Sequence, residues 1–81
     1  MGCEFSKHAR DVLSERGIEE NLVWMALGEP DWKETRDDGN EHYFKSIVEN
    51  DGRVLHVVVN HRCAPKRIVT VFYDRKARRK P

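Results

Sequence analysis

Five residues of this 81-residue chain are candidates for catalysis by side-chain type and position: His8, Arg16, His56, Arg62 and Tyr73. Gathered in one place they would hold the parts for metal-independent RNA cleavage. A base takes the proton from a 2′-OH, arginines stabilise the charge that builds on phosphorus, and an acid protonates the leaving oxygen. Histidine suits either proton role near neutral pH, and tyrosine can stack on a base. The same residue types also suit arginines lying along a sheet and a histidine at its surface.

Whether they gather depends on the elements that carry them. Between Val54 and Asn60, Leu55, Val57 and Val59 form a purely apolar set, whereas Val54, His56, Val58 and Asn60, continued by Arg62, contain every polar member. The apolar set is expected to face the helices and the other set to face away. An even-numbered loop to the next strand, 66–73, would bring Arg62 opposite Arg67 and His56 opposite Tyr73 on that outer face. Two opposed guanidiniums disfavour a sheet unless an anion such as a phosphodiester sits between them. An odd-numbered loop would instead turn Lys66, Ile68, Thr70 and Phe72 outward.

The other two residues lie on a helix. Ser6 is a natural N-cap, Arg16 closes the last turn and Gly17 supplies a left-handed C′ position, so a first helix is expected over residues 7–16. On its wheel Phe5, Ala9, Val12 and Leu13 form one apolar arc, with Arg16 in its middle and His8 at its edge. A basic cleft between helix and sheet would explain both. So would a helix-terminal cation bonding the last carbonyls and a histidine at the surface.

A second helix is expected over residues 19–28, from acidic Glu19 and Glu20 to Gly28 with Pro30 beyond. It is apolar nearly all round. Val23, Ala26 and Leu27 make a core stripe, which leaves Leu22, Trp24 and Met25 as a candidate partner interface, either for another protein or for a second copy. Strands follow at 32–36, 41–49, 53–61 and 66–73, with "DDGN" and "NDG" as turns. The expectation is an α+β fold, ααββββ, with two helices on one face of a four-stranded antiparallel meander. Residues 1–74 would form a single domain, and 75–81, "RKARRKP", a flexible basic tail.

Composition narrows the partners. Residues 1–52 carry 6 Lys/Arg against 13 Asp/Glu, a balance of −7, whereas 53–81 carry 9 against 1, a balance of +8. A cationic end attracts phosphates, so RNA is the expected ligand of the second half, with Arg67, Thr70, Arg75 and Lys76 as contacts. No stretch approaches the roughly 20 apolar residues of a membrane helix, and no signal peptide opens the chain, so a cytoplasmic protein with no membrane partner is expected. Cys3 and Cys63 are too few for a disulfide scaffold. With His8 and His61 they lack the usual close-paired ligand spacings, so no metal and no cofactor is expected.

The blocks "FSKHARDVLSERGIEENLVWMALGEPD" and "GRVLHVVVNHRCAPKRIVTVFYDR" resemble a small prokaryotic family of unknown function that opens with F-S-x-H-A-x-x-R-x-x-x-R-G-I or close variants and ends in an I-V-T-V-Y-like strand. That family is similar to the BrnT and RelE toxins of the barnase/RelE type of ribonuclease fold. The resemblance implies helices on an antiparallel sheet and, in toxin members, mRNA cleavage neutralised by a bound antitoxin. It assigns His8 and Arg16 to the polar positions of the first helix, and Thr70 and Tyr73 to the terminal strand. The chain departs from the pattern at Leu13, where an arginine is familiar, at Glu19, where a serine cap is usual, and at Leu22, Trp24 and Met25, where polar residues are common. The implied function is an endoribonuclease toxin; the alternative is a non-catalytic interaction module using helix two.

Overall fold

The computed structural model describes residues 3–77. Strand β1 (Cys3–Phe5) is followed by α1 (Lys7–Arg16), α2 (Glu20–Gly28), β2 (Trp32–Thr35), β3 (Glu41–Ile47), a 3-10 turn at Val48–Asn50, β4 (Arg53–Asn60) and β5 (Lys66–Tyr73). The strands form one sheet in the order β1-β5-β4-β3-β2. No helix among the described residues is long and apolar enough to cross a membrane.

Local chemistry explains the ends of α1, whereas α2 begins after Glu19 without a side-chain cap and is held by burial of Val23 and Ala26. The Ser6 hydroxyl accepts the Ala9 N–H at 3.0 Å, and Gly17, at φ +62°, turns back so that its N–H reaches the Leu13 carbonyl. That left-handed turn is strained for any residue with a Cβ. Ala9, Leu13, Ile18, Val23 and Ala26 are buried in one cluster with Ile47, Leu55, Val57, Val59, Ile68 and Val71. The strand members of this cluster lie on one side of the sheet, because side chains alternate along each strand.

The sheet corrects the four-stranded antiparallel expectation. It has five strands and is mixed, since β1 pairs in parallel with the start of β5, Cys3 beside Lys66 and Phe5 beside Ile68. Three residues are too few to show a two-residue period, which is why the strand escapes a reading of the sequence.

The β4–β5 register follows neither of the two patterns expected. Val58 pairs with Thr70 and Val59 with Ile68, so one extra residue of β5 bulges out between them. A bulge flips the alternation. Ile68 therefore enters the helix-side core, while Thr70 and Phe72 turn to the outer face. Arg67 lies opposite Asn60 rather than Arg62, and His56 lies opposite Phe72 rather than Tyr73. Tyr73 pairs with Leu55 and packs against the helix-side core, where its hydroxyl accepts from Asn50 Nδ2.

The outer face is not an open surface either. Every residue from Val54 to Val59 is buried, so the central strand is covered on both sides. Four rings run across the outer face from β2 to β5: Trp32 stacks on Phe44 at 4.7 Å, Phe44 meets His56 at 4.2 Å, and His56 meets Phe72 at 4.6 Å. Beyond Ile68, where β1 has ended, helix α1 takes over the edge of β5. The Ser6 hydroxyl donates to the Val69 carbonyl at 3.2 Å, and Arg16 Nη1 donates to the Val71 carbonyl at 3.4 Å. A cation in the apolar arc of α1 thus stitches the end of the helix to a strand edge.

Candidate functional site

The polar centre of the molecule lies within the ring ladder. His42 on β3 and His56 on β4 are 94% and 98% buried, and His42 Nδ1 lies 2.8 Å from His56 Nε2. The outer nitrogen of each ring meets a carboxylate. His42 Nε2 lies 3.1 Å from Asp38 Oδ2, in the loop between β2 and β3, and His56 Nδ1 lies 2.9 Å from Asp74 Oδ2, just past β5. Four residues from four segments form one line, Asp38–His42–His56–Asp74.

The backbone sets this line. Glu41, Tyr43 and Ile47 alternate toward the helices, so His42 and Phe44 must point outward, and the β3–β4 register places Phe44 beside His56. Asp74 is fixed by its own turn, its Oδ1 accepting the amides of Lys76 at 2.9 Å and Ala77 at 3.0 Å. Asp38 Oδ1 accepts the Asn40 amide at 2.8 Å. Arg36 lies over the Phe44 ring, 5.5 Å from its centre, while its Nε donates to Glu34. Arg62 backs onto the same loop: a Cβ at Gly39 would stand 2.9 Å from Arg62 Nη2.

Burial pushes the His56 imidazole below its ordinary value, against the pull of the Asp74 carboxylate. Burial also opposes ionisation of Asp74, but the hydrogen bonds from His56 and from the Lys76 and Ala77 amides outweigh it and hold the carboxyl below the usual range. Asp38 is held low chiefly by the Asn40 amide, against a desolvation cost, with His42 adding to the lowering.

These directions give stability a sign. A histidine that is neutral when folded and ordinary when unfolded makes the unfolded chain bind more protons below about pH 6.5, so stability falls as pH drops through that value. Asp38 and Asp74, depressed from 3.8, add a further loss only below about pH 4. The urea midpoint is therefore expected to decline steadily from about pH 6.5 to pH 5. A midpoint that rose over that range would contradict a neutral, buried His56.

The residues expected to cleave RNA do not meet. His8 is exposed on α1, and Arg16 is bonded to the Val71 carbonyl. His56 is buried with both ring nitrogens engaged. Arg62 lies in the turn after β4, and Tyr73 is on the helix side, with the Arg53 guanidinium 4.3 Å from its ring centre. Of the expected RNA contacts, Thr70 and Arg67 are on the outer face, the latter paired with Glu4 at 3.8 Å. Arg75 and Lys76 are exposed, in the turn that Asp74 holds; residues 78–81 of the expected tail lie outside the described residues. Cys3 and Cys63 are free and partly buried, and among the described residues no group of three or more His, Cys, Asp or Glu is placed to hold a metal.

Three of the four residues in the central line, Asp38, His42 and Asp74, lie outside the candidates that the sequence offers. A signal existed. "VLHVVV" is apolar at both parities, which marks a strand buried on both faces, and "EHYF" places a histidine and a phenylalanine on the side away from the helices.

Comparison with known proteins finds that a family described as Domain of unknown function (DUF4258) matches residues 5–73. No curated protein and no solved structure matches the chain.

Proposed function

For a chain that belongs to the family described as a domain of unknown function, DUF4258, we propose a role as a small protein-interaction module, with α2 as its contact surface. The observation that carries this reading is the pair Trp24 and Met25, 37% and 40% exposed on one short helix, beside half-buried Leu22. Large apolar side chains exposed together mark contact surfaces. Trp24 is also held in place, edge-on to Phe5 at 5.3 Å and donating its Nε1–H to Glu20 at 3.0 Å. An aromatic ring already ordered in the free protein loses little entropy on docking, which is the property of a binding anchor. The helix has no Lys or Arg and is flanked by Glu19 and Glu29, so the partner fits best with an apolar patch and a basic rim.

The test is sedimentation of the purified chain, alone and with the product of a neighbouring gene. A complex is expected, and Trp24→Glu should weaken it by at least ~30-fold, the loss typical of an anchoring tryptophan, while circular dichroism still shows a folded chain at the temperature of the measurement. A wild-type chain that stays monomeric in both settings sinks the reading.

Endoribonuclease activity, as in the BrnT and RelE toxins, is the second reading. What favours it is the outer face, where Arg36 lies over the ring ladder and Arg67 and Thr70 project from β5, Arg67 and Thr70 belonging to the half of the chain that carries most of the cations. In that reading the α2 partner is an antitoxin. Purified chain incubated with RNA and a chelator is expected to leave the RNA intact. Cleavage lost in both His8→Ala and Arg62→Ala would favour the nuclease.

A further inference from the structure

We propose that His42 and His56 share one excess proton, and that this proton latches the β2–β3 loop, through Asp38, to the segment after β5, through Asp74. The inference is independent of what α2 or the outer face binds.

Proton counting along the line carries it. There are three contacts between the two carboxylates: Asp38 to His42 at 3.1 Å, His42 to His56 at 2.8 Å, and His56 to Asp74 at 2.9 Å. A carboxylate accepts only, so each outer nitrogen must carry a hydrogen. The central N···N contact needs a third. Two neutral imidazoles hold only two hydrogens and would leave either a lone pair facing a carboxylate or two lone pairs facing each other across the central contact. Two imidazolium ions hold four and would set two N–H groups against each other across 2.8 Å. Three hydrogens, one net positive charge, is the state that satisfies every atom of the line.

The position of the charge follows from the surroundings. Asp74 is locked in its turn by two amides, and His56, the more buried ring, is kept neutral and donates from Nδ1 to that carboxylate. His56 Nε2 then accepts from His42 Nδ1–H, so His42 is the imidazolium and its Nε2–H holds Asp38. The remaining charged groups nearby agree. Glu34 stands opposite His42 in the β2–β3 register with its carboxylate bound by Arg36, Arg36 adds positive potential on the His56 side, and the outward residues of β5 here, Thr70 and Phe72, are uncharged. Loss of the proton opens the weakest contact, the 3.1 Å one to Asp38, which lies on an exposed loop. A second proton breaks the central contact.

Two-bond 1H–15N correlation spectra of the histidine rings in the full chain, recorded as pH is lowered from about 9 to 5, test this. The first ring to gain a proton is expected to be His42, reaching the doubly protonated pattern while His56 remains the neutral Nδ1–H tautomer. Over the same step, amide exchange at Gly39 and Asn40, corrected for intrinsic rate, should slow by at least ~3-fold. Asp38→Asn, at an exposed site, should abolish that slowing and move the His42 midpoint to lower pH without changing the His56 tautomer. An Nε2–H tautomer at His56, first protonation at His56, or exchange at Gly39 and Asn40 that ignores the His42 titration would each overturn the latch.

Discussion

Replacing His56 with alanine is expected to destabilise the protein by about 3–5 kcal/mol, the range for truncating a large buried side chain, and to bring a domain of this size close to unfolding. Two losses combine. The ring is 98% buried between Phe44 and Phe72, so its removal leaves a void in the middle of the ring ladder. It also deprives His42 Nδ1 and Asp74 Oδ2 of partners, and a buried polar atom left without one costs roughly 1–3 kcal/mol by itself. Urea denaturation at about pH 7 measures the effect. Because the two histidines share one contact, His42→Ala made on top of His56→Ala should cost less than it does alone, a coupling of about 0.5–3 kcal/mol. A cost under about 1 kcal/mol for His56→Ala, or strict additivity, would mean that the line contributes nothing to the fold.

Phe44→Ala is expected to cost about as much, roughly 3–5 kcal/mol. Phe44 is 99% buried on the face away from the helices, stacked against Trp32 with only 4° between the ring planes and covered by Arg36. Leu55→Ala, in the helix-side core, is the comparison, at about 2–5 kcal/mol. Similar losses at the two sites would establish that the sheet carries a core on each side. A Phe44 loss near that of an ordinary surface substitution, within about 0.5 kcal/mol, would return the outer face to solvent.

That second core changes how the candidate site reads. His56 was the one candidate catalytic residue drawn from the central strand, and its alternation with Val54, Val58 and Asn60 correctly put it on the side away from the helices. That side is a second core rather than water. Trp32, Phe44 and Phe72 arrive there from three other strands, and the two aspartates arrive from connecting segments. Nothing in the neighbourhood of His56 along the chain announces them. Arg16 is a similar case: it stands as a cation in an apolar arc of α1, and its partner, a backbone carbonyl of β5, is 55 residues away.

Local chemistry wrote much of the molecule. Helix α1 follows from caps a few residues apart, Ser6 and Gly17, α2 from an apolar run with acidic residues at its start, and the helix-side core from alternation in β4. Such signals act between neighbours in the chain, so they survive without knowledge of the fold. The short parallel strand β1, the bulge that splits β5 between two faces, and the meeting of His42 with His56 between two carboxylates were decided only when the strands came together. Each depends on which residue stands across a hydrogen-bonded ladder, and a shift of one residue in pairing sends a side chain to the opposite face.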